Sequence, residues 1–181
     1  AARPAPVVGG GQGSGHACAL AGAGVGCSVA VLDAEAERAE AVASELEALG
    51  GNALSICADV THAAEAERGV AEARRQLGGL DIVVNNAGIN VPGDSQELAV
   101  EAWDRVIGVN LRSIFLATKF AVPYLRRSAA GRIVNIASVH AFAGGGGPAY
   151  ASAKGGVVNL TRDAAVELAV DNMTVNSICP G

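Results

Sequence analysis

Val7-Val8-Gly9-Gly10-Gly11-Gln12-Gly13-Ser14-Gly15, followed eighteen residues past its last glycine by Asp33, decides how this chain folds. A short apolar strand ends at Val8, and glycines at 9, 10, 11, 13 and 15 then turn the chain and open a helix near His16. In a strand-turn-helix each glycine has a use: a tight turn, a close approach of backbone to a pyrophosphate, or close packing of helix on sheet. The helix start adds unsatisfied N–H groups and a positive dipole end, which favour phosphate. A glycine-rich loop alone is weak evidence. The apolar run 28–32 ending on Asp33 strengthens it, because a carboxylate there accepts hydrogen bonds from an adenosine ribose and repels a 2′-phosphate. Asp33 also suits the cap of a helix starting at Ala34, and the two roles are compatible. Neither His16 nor Ala34 supplies a fixed cation beside it, so NAD is expected over NADP.

Outward from this loop, β-branched apolar runs at 6–8, 28–32, 53–57, 80–85, 132–137 and 174–178 alternate with helical patterns at 34–49, 63–77, 100–126 and 150–169. Ala39, Val42, Leu46 and Leu49 recur at helical spacing. Strands this uniformly apolar, alternating with helices, predict a doubly wound parallel α/β sheet covered on both faces. No repeat or linker divides the chain, so 1–181 is expected to form a single Rossmann-like domain.

Composition excludes several classes. Thirteen Lys and Arg against eighteen Asp and Glu give a net charge of −5, with no basic block, so no nucleic acid partner is expected. The apolar stretch 17–32 is broken by Gly22, Gly24 and Gly26 and is too short to span a bilayer; no membrane partner is expected. Residues 1–6 lack the apolar core of a signal peptide. Cys18, Cys27, Cys57 and Cys179 have no CxxC spacing and sit in apolar segments. They read as small buried hydrophobes in a cytoplasmic protein, with no metal site.

The chemistry is carried further along. Tyr150-Ala151-Ser152-Ala153-Lys154 places Tyr150 and Lys154 at i and i+4, on one helix face. A free phenol, with a pKa of about 10, is a poor proton carrier near neutrality; a nearby ammonium stabilises the phenolate and makes it usable as acid or base. An isolated YxxxK is more often a satisfied tyrosine and a solvated lysine. Here Ser138 ends the run 132–137, Asn85-Asn86-Ala87-Gly88 ends the run 80–85, and Asn110 lies in the long helical stretch. Strand C-terminal ends are where such a sheet gathers its ligand groups.

With these motifs in this order, from the glycine loop to Pro180-Gly181, the sequence resembles the short-chain dehydrogenase/reductase family. The resemblance implies hydride transfer between NAD(H) and a carbonyl or secondary alcohol substrate. It makes Tyr150 the acid/base, Ser138 the group that orients the carbonyl, and Lys154 the residue that holds the nicotinamide ribose and tunes Tyr150. Asn110 would keep a water in a proton relay behind the lysine. The cofactor residues it implies are Gly9, Gly13, Ser14, Gly15 and Asp33, then Asp59 and Val60 beside the adenine, Asn86, Ala87 and Gly88, Tyr150 and Lys154, and Pro180 and Gly181. His140, two residues after Ser138, is expected to be a loop residue.

The sequence departs from the family pattern at several points. Val8 stands for a usual Thr and Ser14 for a usual Ile. Pro4 and Pro6 fall where the central strand should run, so that strand is expected to be short or irregular. Ser138 and Tyr150 are 12 positions apart, one fewer than usual, with Gly144 to Gly147 between them. Either those glycines let the loop close with both residues in place, or Ser138 is displaced. The family's lid and final strand would follow Gly181, outside these residues. A non-catalytic dinucleotide-binding or structural member of the fold is the alternative function. Small residues at Ala117, Ala121, Gly155, Gly156, Ala164 and Ala165, taken as exposed, predict a homo-oligomer, a dimer or tetramer.

Overall fold

A computed structural model describes residues 2–181; Ala1, where the N-terminal reading begins, lies outside them. The strands are β1 Pro4–Val8, β2 Ser28–Asp33, β3 Asn52–Cys57, β4 Ile82–Asn85, β5 Arg132–Ile136 and β6 Thr174–Ile178. They form one sheet in the order β3-β2-β1-β4-β5-β6, and every neighbouring pair is parallel. Parallel neighbours need long crossovers, and helices α1 Gly13–Gly24, α2 Ala36–Ala48, α3 Ala63–Leu77, α4 Val100–Ile107, α5 Ser113–Leu125 and α6 Pro148–Leu168 provide them. This is the Rossmann-like α/β arrangement that the alternating pattern predicts.

β1 is a regular five-residue strand in the middle of the sheet, against the expectation of a short or irregular one. The reason lies in the spacing of its prolines. Pro4 accepts from the Asp81 amide and Val8 from the Asn86 amide, so even-numbered residues present their polar groups toward β4. Arg3 accepts from Ser28 on the other side. Both missing N–H groups therefore point toward β4, which pairs with β1 only at Val7 and Val8, while pairing with β2 runs from Pro4 to Val8.

The two faces of the sheet are covered unequally. On one, α3, α5 and α6 close over Val8, Leu32, Val83, Ile133 and Val175. On the other, α1 and α2 cover Ala5, Val7, Val29, Val31 and Ala53. Residues alternate faces, and the register sets Val84, Val134 and Asn176 side by side on that second face. Val134 is only half-buried and Asn176 is exposed. The sheet is doubly wound as expected, with helices on both faces; among residues 2–181, α1 and α2 cover β1 to β3 and do not extend over β5 and β6.

The helix expected over 100–126 is interrupted by a π turn at Gly108–Arg112. Val100–Leu125, unlike 17–32, is long and apolar enough to cross a membrane by length and composition. Here Leu116, Ala117, Ala121 and Leu125 are buried in the core with α3 and the sheet. Ala117, Ala121 and Ala164 are thus core residues, not the exposed small residues on which an oligomer was predicted. Among the described residues all four cysteines are free, but only Cys27 is buried: Cys18 and Cys179 are half-buried, and Cys57, closing the edge strand β3, is exposed.

Candidate functional site

A cleft of about 1260 Å³ opens over the C-terminal ends of β1, β4 and β5, where the strand order reverses between β1 and β4. This is the switch point at which open α/β sheets take ligands, and the cleft exceeds the roughly 300–1,000 Å³ of most small-molecule pockets. Gly9, Gly13 and Ser14 line it with Asp33, Asp59 and Val60 at one end. Ser138, Tyr150 and Lys154 line it with Pro180 and Gly181 at the other, and Asn86, Ala87 and Gly88 lie between. Gly15 and Asn110 are the two predicted site residues set behind its wall.

The glycine loop has the form of a phosphate cradle. Gly9 and Gly13 have φ of +70° and +55°, a region that favours glycine. The amides of Gly9 and Gly10 both donate to Leu32 O, at 2.8 and 3.1 Å, and Asn86 Nδ2 donates to Gly9 O at 2.8 Å. A Cβ on Gly15 would lie 2.0 Å from Gly9 O, so its glycine permits the helix start to pack on the loop. A Cβ on Gly13 would meet nothing within 4 Å, leaving the start of α1 open to the cleft. α1 begins at Gly13, earlier than His16, and carries no acidic residue in its first turn. Open N–H groups at a helix start fit the phosphates of a dinucleotide.

Asp33 accepts from the Gly11 amide through Oδ2 at 3.0 Å and from the Glu35 amide through Oδ1 at 3.1 Å. It thereby closes a turn ahead of α2, which starts at Ala36 with Glu35 rather than Asp33 as its N-cap, and ties that turn to the glycine loop; an ionised carboxylate retains further acceptor sites. Asp59 Oδ1 accepts from the Thr61 amide and hydroxyl at 2.9 and 2.7 Å, and Oδ2 lies 3.2 Å from His62 Nδ1. Partial burial pushes the Asp59 carboxyl up, but the Thr61 hydrogen bonds and His62 outweigh it and hold it below its ordinary value. Arg38 also lines this end of the cleft. His16 and Ala34, the residues weighed for a cation, miss it because Arg38 reaches the loop from one turn inside α2; His16 instead pairs with Glu45 at 2.8 Å.

At the other end, Ser138 leaves β5 and accepts from the His140 amide at 3.2 Å, which leaves its hydroxyl hydrogen free to donate. The short loop closes: Gly145 and Gly147 take φ of +104° and +79°, and Gly146 is packed under His140 and Tyr150. Ser138 and Tyr150 therefore face one cleft across the 12-position spacing. His140 lines it too, its ring edge-on to Tyr150 with centroids 6.1 Å apart. Lys154 is 3% exposed and its Nζ donates to Ile136 O at 2.7 Å, 5.6 Å from the centre of the Tyr150 ring. Burial pulls its pKa down to about 8, against an opposing pull from Cys179.

Asn110 sits in the π turn, fully buried. Such turns rotate a side chain out of the helical register, and here Asn110 Nδ2 donates to Ile89 O and Val106 O at 2.8 and 2.9 Å. Its Oδ1 has no hydrogen-bond partner among the described residues. A Cβ on Gly88 would lie 2.8 Å from that oxygen and 3.6 Å from Lys154 Nζ, so the glycine keeps a small space between them.

Comparison with known proteins places the chain in a family of the same fold. The family model for short chain dehydrogenase matches residues 3–181. The 3-oxoacyl-[acyl-carrier-protein] reductase of Staphylococcus aureus is 39% identical over 145 residues, 80% of this chain and 59% of that protein. The D-beta-hydroxybutyrate dehydrogenase of Rhizobium meliloti is 42% identical over 132 residues, 72% of this chain and 51% of that protein. A solved mutant of a short-chain dehydrogenase/reductase from Serratia marcescens superposes with a TM-score of 0.94 at 40% identity, covering 99% of this chain and 74% of that one. The chain thus spans about half to six-tenths of the length of the curated relatives it matches.

Proposed function

The chain belongs to the short-chain dehydrogenase family, and on that premise we propose that it is an NAD-dependent oxidoreductase acting on a carbonyl or secondary alcohol. The observation that carries this reading is the joining of Ser138, Tyr150 and Lys154, in one cleft, to the glycine loop and Asp33. The dinucleotide, when bound, supplies or accepts the hydride; the remaining work falls to the chain.

Tyr150 gives a proton to the substrate oxygen in reduction and takes it back in oxidation. Ser138, its hydroxyl hydrogen free, donates to the same oxygen and fixes its direction. Lys154 is held on Ile136 O and keeps a positive charge near the phenol, which stabilises negative charge on that oxygen while its proton is away. The unpartnered Asn110 Oδ1 and the space beside Gly88 suit a water that passes protons between Lys154 and solvent. Asp33, with acceptor sites to spare, binds ribose hydroxyls and repels a 2′-phosphate, giving the preference for NAD. Asp59 and Val60 would border the adenine, and Asn86 to Gly88, Pro180 and Gly181 would border the rest of the dinucleotide.

Tyr150→Phe keeps the ring and removes the proton. We expect NADH-linked turnover on a panel of small ketones and secondary alcohols to fall by more than about 10²-fold, the usual lower range for a general acid, with NADH binding retained. Turnover kept by this variant overturns the tyrosine role. NADH binding by the unaltered chain without turnover on any compound favours the non-catalytic alternative.

A further inference from the structure

The adenosine end of the cleft carries a cation whose charge is already taken. Arg38 lines the cleft with Gln12, Gly13, Asp33 and Glu35. A Cβ added to Gly11 would come within 2.7 Å of both Arg38 Cβ and Asp33 Oδ2, so loop, carboxylate and the root of the arginine meet at one point. The guanidinium is held 2.9 Å from Glu35 Oε1, one helical turn back, and both side chains are about half exposed. Glu35 therefore has two attachments: its amide donates to Asp33, and its carboxylate holds Arg38.

We propose that cofactor choice is set by the group Asp33, Glu35 and Arg38 rather than by Asp33 alone. The inference rests on the dinucleotide reading above. A guanidinium is the side chain best shaped to take a phosphate through paired hydrogen bonds. One stands beside the carboxylate that faces the ribose, and Glu35 neutralises it. With Glu35 in place Arg38 offers no free charge to a ribose 2′-phosphate. With the Glu35 carboxylate removed, Arg38 partly offsets the repulsion from Asp33, and the site discriminates less strongly against NADP. Glu35 is thus a specificity-determining residue that acts through Arg38, a role that a reading of Asp33 and its immediate sequence neighbours does not reveal.

The test is a set of binding titrations with NADH and NADPH, followed by nicotinamide fluorescence, on the unaltered chain, Glu35→Gln, Arg38→Ala and the double variant. Glu35→Gln retains the amide that holds Asp33, so the turn persists. The ratio of the NADPH Kd to the NADH Kd is expected to fall about three- to fivefold in Glu35→Gln, the scale of a half-exposed charge pair. It should return to the starting value in the double variant, stay within about twofold of it in Arg38→Ala, and change less at high salt. A fall that survives removal of Arg38 overturns the proposal. So does an unmoved ratio in a Glu35→Gln chain that still binds NADH. An unaltered chain that binds neither dinucleotide overturns the dinucleotide reading itself, and this inference with it.

Discussion

Lys154 shows how much one buried charge governs. Its pKa is about 8 in the folded chain, against about 10.4 for a free lysine. Between those values the unfolded chain holds a proton that the folded chain has released, so this group's contribution to stability rises with pH across that window. Below about 8 both states are charged, and the penalty for burying the ammonium stands in full. Lys154→Met should flatten the rise in Tm between about pH 8 and 10, measured by circular dichroism; a slope that the substitution leaves unaltered would contradict the desolvation described. At this scale much of the site is legible in sequence. Tyr150 and Lys154 share a face through i, i+4 spacing, and Ser138 and Asp33 each close an apolar run. Asn110 is legible as a residue but not in its setting, because a π turn leaves no trace in hydrophobic periodicity. Arg38 was hidden for another reason: it meets Asp33 through the fold of α2 back onto Gly11, not through adjacency along the chain.

At the scale of elements, the strands were readable because parallel strands buried in a core are continuous apolar runs. The alternation inside a run is then invisible, and with it the difference between the two faces of β5. Ile133 is fully buried beneath α3, α5 and α6, whereas its neighbour Val134 is half-buried on the less covered face. Ile133→Ala is expected to destabilise by about 2–5 kcal/mol, as large-to-small changes in closed cores do. Val134→Ala should lose less than about half as much, because its side chain is not fully removed from water on folding. Urea unfolding of the two variants decides this, and equal losses would contradict the uneven covering. The prolines of β1 were misread on the same ground. Composition marks proline as a strand breaker, yet two prolines two residues apart direct both missing donors to one side of the strand.

For the whole molecule, the alternation of strands and helices was enough to give the layering, the strand direction and the place of the cleft. It could not say which helix reaches how far, so Ala117, Ala121 and Ala164, taken for an outer surface, proved to be core, whereas Gly155, Gly156 and Ala165 are half-buried. The oligomer expectation therefore passes to apolar side chains that are exposed, Phe115 at 49% on α5 and Trp103 at 37% on α4. Exposed large apolar groups favour a contact surface where they gather into one patch. Light scattering should give the mass of a dimer or tetramer; a monomer mass contradicts this. A single cleft is proposed to join a dinucleotide cradle to a proton-transfer group, and titration of the purified chain with NADH and, separately, NADPH, followed by nicotinamide fluorescence, tests this. Saturable binding of NADH, tighter than that of NADPH, is the predicted result; no binding of either would contradict the account.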